Sequence, residues 1–253
     1  MKGAIIGDVI GSSYEFNNTF IYGFQMFTEN TDFTDDTICT VAIADALMLN
    51  KDYTGYLRRW CRKYPNPTGA YGPSFKKWIF SDEIYSNNSY GNGALMRLSP
   101  IVLSNLSLQS AKFEAMNATK CSHAHPEALN CVNAFVEICD ALKKNKQKEL
   151  AFKIMSKYFG YGWKFIIPKK GIFEESCQGT LPLAVMLFYK STSFEDAIRL
   201  AVSYGGDSDT LAAVVGTLAE IYYGVPDKLW GLVKEYLPQE FLDVVDRFYK
   251  YLR

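Results

Sequence analysis

A chain of 253 residues can bury a sizeable core and lies near the upper end for one domain. Apolar residues make up 48% of it, which excludes a disordered chain. Lys plus Arg equals Asp plus Glu at 27 each, which argues against a nucleic-acid or anionic-membrane binder working by bulk charge. No stretch of the sequence is long and apolar enough to span a bilayer.

The chain opens with GAIIGDVIGSSYEF, where Gly3, Gly7 and Gly11 recur every four residues and so share one face of a helix. Close backbone packing accounts for them without a ligand. Asp8 interrupts the apolar run and no small-residue cleavage pattern follows, so a secretory leader is not expected. Asp8 is expected to be a buried hydrogen-bonding acid. Glu15 falls where this helix ends; it either projects into a pocket or decorates the surface.

Residues 19–27 read as strand-like, although without clean alternation. The string FTDDT (Phe33 to Thr37) then precedes a helix expected over 37–50, apolar on most faces and therefore buried. Polar, glycine- and proline-containing clusters at 65–73, 86–93 and 160–171 read as loops between helices. SYGNGALMR (Ser89 to Arg97) suggests either an anion-binding nest made by the N–H groups around Gly91, Asn92 and Gly93 or an ordinary Asn-Gly turn with Arg97 as a structural donor. SHAHPEA holds both histidines of the chain. His123 could act as a base, a ligand-orienting donor or a plain partner of the next helix.

That helix is expected over 125–144, with Pro126 in its first turn. Residues 164–168 form a second strand-like run, and helices follow over 181–189, 193–204, 209–223 and 238–252. In the last, Phe241, Val244, Val245, Phe248 and Leu252 fall on one face. Before helix 209–223 stands GGDSDT, a second cluster of carboxylates and hydroxyls. The six cysteines contain no CxxC pair, and most lie in apolar helical patterns. They read as reduced core residues of a cytoplasmic protein, not as a zinc site. The expected fold is all-α, with a single domain over 1–253.

Each acidic motif alone could serve as an N-cap. A cap needs one acceptor, however, and each motif offers two acids; Gly205 and Gly206 further allow a sharp bend beside a ligand. If the two helix starts converge, four carboxylates share one pocket and require compensation. Hard oxygen ligands without His or Cys favour Mg²⁺, with Mn²⁺ able to substitute. Adjacent aspartates diverge on a helix and suit a pair of neighbouring ions.

The ordered set GDVIGSSYEF, FTDDT, YGNGALMR, SHAHPEA, CQGTLPLA and SFEDAIRLAVSYGGDSDTLAAVVGTLAEIYYG resembles the ADP-ribosylglycohydrolase family across essentially the whole chain. The resemblance implies a compact all-α fold with a central cleft holding two Mg²⁺ ions. It implies metal ligands at Thr34, Asp35, Asp36, Asp207, Asp209 and Thr210, with Glu15 beside the substrate ribose. Gly91, Asn92, Gly93 and Arg97 match a loop near the diphosphate, and His123 matches a pocket histidine. CQGTLPLA and the Gly171–Cys177 loop depart from better-characterised members, which leaves adenine contacts and leaving-group specificity open; Phe173 and Tyr204 are candidate stacking residues. Glu15 or Asp36 would activate water against a glycosidic bond.

The resemblance thus implies a monomeric Mg²⁺-dependent hydrolase that frees ADP-ribose from an ADP-ribosylated protein side chain such as arginine. O-acetyl-ADP-ribose and ADP-ribosylated nucleic acid are alternative substrates. A non-catalytic ADP-ribose-binding or immunity protein is the alternative to an enzyme.

Overall fold

In the computed structural model, which describes residues 1–83 and 85–253, the glycine-spaced opening run forms α1 (Lys2–Ser12). There follow α2 (Asp35–Met48), α3 (Tyr53–Lys63), α4 (Pro73–Phe80), α5 (Gly93–Met96) and α6 (Ser99–Leu103). Next come α7 (Leu108–Lys120), α8 (Pro126–Asn145), α9 (Glu149–Phe159) and α10 (Cys177–Lys190). The chain closes with α11 (Phe194–Val202), α12 (Ser208–Tyr223), α13 (Asp227–Val233) and α14 (Gln239–Tyr251). Among the described residues the only β pairing is three isolated bridges, Thr34 with Thr68, Asn88 with His123, and Gly91 with Ser176. The fold is all-α.

The strand-like runs are not strands. Residues 19–27 form an irregular excursion whose Phe20, Ile21 and Tyr22 are exposed. The second run belongs to a 3₁₀ turn, Trp163–Ile166. Aromatic and β-branched content suggested strands there, but among the described residues no strand pairs with them. Helices α3, α4, α6, α7, α9 and α13 were not expected from the sequence, and α10 starts four residues before its expected position, at Cys177. Ser176 caps that start by accepting from Gly179 N–H, and the helix runs through Pro182.

Helix α1 is the hub. Its residues 3–12 are all buried, and its glycine face lies directly on α12. A Cβ at Gly3 or Gly7 would collide with the backbone carbonyl of Gly216 or Ala212, and one at Gly11 would stand 2.5 Å from Asp209 Cα. The backbones therefore approach more closely than any side chain permits. From another face of α1, the buried Asp8 accepts from Thr34 N–H (3.1 Å), Thr34 Oγ1 (2.6 Å), Thr37 N–H (3.1 Å) and Thr37 Oγ1. One helix thereby fixes the starts of both α2 and α12, which are the two acidic motifs.

Around this hub packs an apolar core with Trp78, Phe135, Phe188, Phe241 and Phe248 fully buried. All six cysteines are free and five of them are buried. Among the described residues no helix is long and apolar enough to cross a membrane.

Candidate active site

The two motifs open into one cavity of about 600 Å³. Asp35 and Asp36 enter from the first turn of α2, Asp207, Asp209 and Thr210 from the start of α12, and Glu15 from the segment after α1. Thr34 caps α2 by accepting from Asp36 N–H (3.2 Å) while its hydroxyl donates to Asp8. It is fully buried and turned toward Asp8, not among the cavity-lining residues.

The bend before α12 needs its glycines. Gly205 and Gly206 have φ of 75° and 84°, a left-handed conformation that side chains rarely adopt. Asn18 clamps this bend from far away in sequence. Its Nδ2 donates to Gly206 O (2.9 Å) and its Oδ1 accepts from Gly206 N–H (2.8 Å).

Carboxylate oxygens from three segments remain without partners. Glu15 Oε2, Asp36 Oδ2 and Asp209 Oδ1 are buried and accept no hydrogen bond. One oxygen each of Glu15, Asp207 and Asp209 lies within 4.8 Å of the others. Thr210 Oγ1 donates to Asp36 Oδ1 (3.2 Å), and Asn92 Nδ2 donates to Asp207 Oδ2 (2.7 Å). Seven carboxyl groups line the cavity (Glu15, Asp35, Asp36, Glu174, Glu175, Asp207 and Asp209) against a single guanidinium, Arg97.

Such crowding resists ionisation. Burial, then the charges of Asp207, Asp8 and Glu175, raise Glu15 from its ordinary 4.5 to about 8. Asp36 and Asp209 are pushed well above the usual carboxylate range, by burial first and by neighbouring aspartates second. Burial lifts Asp8 to about 6 against the opposing pull of its Thr34 and Thr37 hydrogen bonds.

The glycine loop, which reaches Asp207 through Asn92, and the histidine also line the cavity. Of the two readings the sequence offered there, the geometry matches the ordinary turn and not the nest. Neither Gly91 nor Gly93 has positive φ, Gly91 N–H donates to Ser89 Oγ (3.1 Å), and Asn92 N–H donates to Glu175 O (2.6 Å). The glycines instead make room for an imidazole: a Cβ on Gly93 would stand 3.1 Å from His123 Nε2. Arg97 is fully buried behind that ring, its guanidinium 5.5 Å from the Phe75 centroid. Its Nη2 donates to Ser122 Oγ (2.7 Å) and to His123 Nδ1 (3.0 Å), while Nε and Nη1 have no partner. Among the described residues no carboxylate pairs with it. Burial and the Arg97 charge drive His123 well below its ordinary 6.5.

Residues 1–253 match the ADP-ribosylglycohydrolase family from end to end. The chain belongs to that family. It is similar to the ADP-ribosylarginine hydrolase Tri1 of Pseudomonas putida (strain GB-1), 26% identical over 89% of this chain and 70% of that protein. It also resembles mouse ADP-ribosylhydrolase ARH3 (21% identical, 89% and 83% covered). A third relative is the ADP-ribosyl-[dinitrogen reductase] glycohydrolase of Rhodospirillum rubrum (22%, 89% and 84%). A solved structure described as an ADP-ribosylglycohydrolase-related protein complex matches with TM-score 0.75 at 25% identity, over 99% of this chain and 95% of that one. This ADP-ribosyl glycohydrolase is thus a hydrolase of glycosidic bonds.

The donor set of this glycohydrolase fits a divalent metal. Every candidate ligand offers a hard oxygen, and three buried carboxylates each hold an orphaned one. Beside them Phe173 lines the cavity mouth, its ring stacked on Phe16 with centroids 5.9 Å apart and planes 14° from parallel. Tyr204 does not line the cavity; its hydroxyl donates to Pro168 O (2.7 Å). The sequence reading passed over Asn18, Phe16, Glu175 and Tyr90, all of which build the site or its rim. Only the aromatic–acidic density of SYEF and IFEES could have signalled two of them.

Proposed function

We propose that this chain hydrolyses the glycosidic bond between ADP-ribose and an arginine side chain of a modified protein, with two Mg²⁺ ions in the acidic cleft. The observation that carries this reading is the convergence of orphaned carboxylate oxygens from both acidic motifs and Glu15 in one cavity. Asp35, Asp36, Asp207, Asp209 and Thr210 would hold the ions, with Mn²⁺ as a substitute, and Thr34 would serve by orienting the start of α2. Bound there, divalent ions supply ligation of ribose hydroxyls and a lowered pKa of water.

The chain's own residues do the remaining work. Glu15 lines the cleft with Oε2 unpartnered and would take the proton of the attacking water once bound cations offset the neighbouring carboxylates that raise it. Water adds to the anomeric carbon, and the bond to the acceptor nitrogen breaks with its electron pair going to nitrogen. The transition state is oxocarbenium-like. Asn92 holds Asp207 in place through its side-chain amide. His123, kept neutral by burial and by the Arg97 charge, presents an Nε2–H donor to the cavity. The free cysteines suit a reducing cytoplasm, where the enzyme would act as a monomer.

The test is ADP-ribose release from a panel comprising ADP-ribosylarginine peptide, ADP-ribosylserine peptide, O-acetyl-ADP-ribose and ADP-ribosylated DNA, each with Mg²⁺ or with chelator. Release from the arginine-linked peptide, abolished by chelator, is expected. Chelator-insensitive release, or none from any member, would overturn the proposal.

A further inference from the structure

The mouth of the cavity carries an unusual lip. Phe16 follows Glu15 directly and is 74% exposed, while its stacking partner Phe173 is 42% exposed. This stacked pair offers an open apolar face at the edge of the cleft for a ligand to cover. Nearby, Phe20 already has a cation on its face, with Lys170 Nζ 5.5 Å from the centroid. Among the described residues no cation lies over the Phe16–Phe173 pair. Glu175 also lines this mouth as an exposed residue, and its backbone is fixed because its carbonyl accepts from Asn92 N–H (2.6 Å). Its carboxylate lies outside the metal-ligating set.

We propose that Phe16, Phe173 and Glu175 form an acceptor subsite that recognises the planar cationic guanidinium of the modified arginine as it leaves the cleft past Glu15. The inference rests on the arginine-directed reading above and assigns its specificity to particular side chains. A flat delocalised cation stacks on an aromatic face through the ring quadrupole, and the carboxylate of Glu175, two residues after Phe173 and lining the same cavity, can pair with the N–H fork. A serine acceptor offers neither feature. The sole cavity-lining guanidinium, Arg97, is fully buried and spends Nη2 on Ser122 and His123, so it is not exposed at the lip.

The experiment uses the intact chain with Mg²⁺. It compares wild type, Phe16→Leu, Phe16→Ala and Glu175→Gln on ADP-ribosylagmatine and ADP-ribosylserine peptide, and measures ADP-ribose affinity by calorimetry. Phe16→Leu keeps apolar bulk and loses the π face. It and Glu175→Gln are expected to raise KM for ADP-ribosylagmatine about three- to thirtyfold, with kcat and ADP-ribose Kd within twofold and the serine-linked substrate unaffected. Unchanged KM, a Leu variant that behaves as wild type where Ala does not, or an equal loss of ADP-ribose affinity would overturn the subsite and leave the hydrolase reading standing. A wild type that cleaves only the serine-linked substrate would do the same. A wild type that cleaves neither would remove both.

Discussion

Arg97 Nη2 donates to His123 Nδ1 at 3.0 Å, and because a guanidinium cannot accept, this bond decides the state of the ring. Nδ1 is the acceptor, so the neutral imidazole carries its proton on Nε2, beside Gly93 and the cavity. Two histidines in the chain make this readable by ¹⁵N NMR. His123 is expected as the Nε2–H tautomer, without titration between pH 5 and 8, while His125 is the comparison signal. In Arg97→Met the donor to Nδ1 is gone, so the preference for the Nε2–H tautomer should relax. A His123 that titrates normally in the wild type would remove the lock.

The acidic cleft should make the metal-free protein sensitive to pH. Glu15 is raised from 4.5 to about 8, so its folded form binds a proton that the unfolded chain releases over that interval. Stability from this group is complete below about pH 4.5 and falls as pH rises toward 8. Asp36 and Asp209 act in the same direction. Metal-free Asp209→Asn should therefore melt above metal-free wild type at pH 7.5, with the gap narrowing at pH 5. For a chain of this size about 1 kcal/mol corresponds to 2–4 °C. Mg²⁺ should stabilise wild type and release protons on binding. An Asn variant that melts below wild type at pH 7.5 without metal would contradict this balance.

Gly7→Ala tests the hub. The added Cβ collides with the Ala212 carbonyl, and a backbone cannot rotate away as a side chain can. Overpacking of this kind costs about 1–3 kcal/mol or more. The melting temperature should fall by several degrees, and Mg²⁺ affinity should weaken with it, since α1 positions both motifs. Gly162→Ala, where the nearest atom is an exposed Phe165 ring carbon at 3.8 Å, is the control. Equal effects of the two substitutions would mean that the α1–α12 contact is not the organising element.

How far the sequence could carry the reading varies along the chain. Helices α2, α8, α12 and α14 were legible because local chemistry and apolar pattern agree, as with Thr34 capping α2 and Pro126 opening α8. α3 was not: its apolar face is only Tyr53, Leu57, Trp60 and Cys61 among exposed basic residues. Both acidic motifs stood out as unusual strings, and their convergence follows from α1, whose glycine spacing signalled close packing without naming a partner. Asn18 could not be found this way, since its clamp on Gly206 spans most of the chain. Tyr204 drew notice by preceding Gly205, yet its side chain turns to Pro168.

Glu15→Gln separates proton transfer from binding. The substitution keeps shape and one acceptor oxygen while removing the proton-taking carboxylate. kcat on ADP-ribosylarginine peptide at saturating Mg²⁺ should fall about 10²–10⁴-fold, with ADP-ribose affinity changed far less. Near-normal kcat would shift the role of base to Asp36.

The central claim is that the two acidic motifs serve one metal-dependent hydrolytic site. It is tested most directly by the rate of ADP-ribose release from ADP-ribosylarginine peptide as a function of Mg²⁺, for wild type, Asp36→Asn and Asp209→Asn, with folding of each verified by melting. One substitution comes from each motif, and both remove an orphaned buried oxygen. Wild type should show saturable dependence on Mg²⁺, and each variant should lose at least about a hundredfold in rate, the scale of one electrostatic contribution to catalysis. If either folded variant keeps the wild-type rate and Mg²⁺ dependence, the motifs do not form one site.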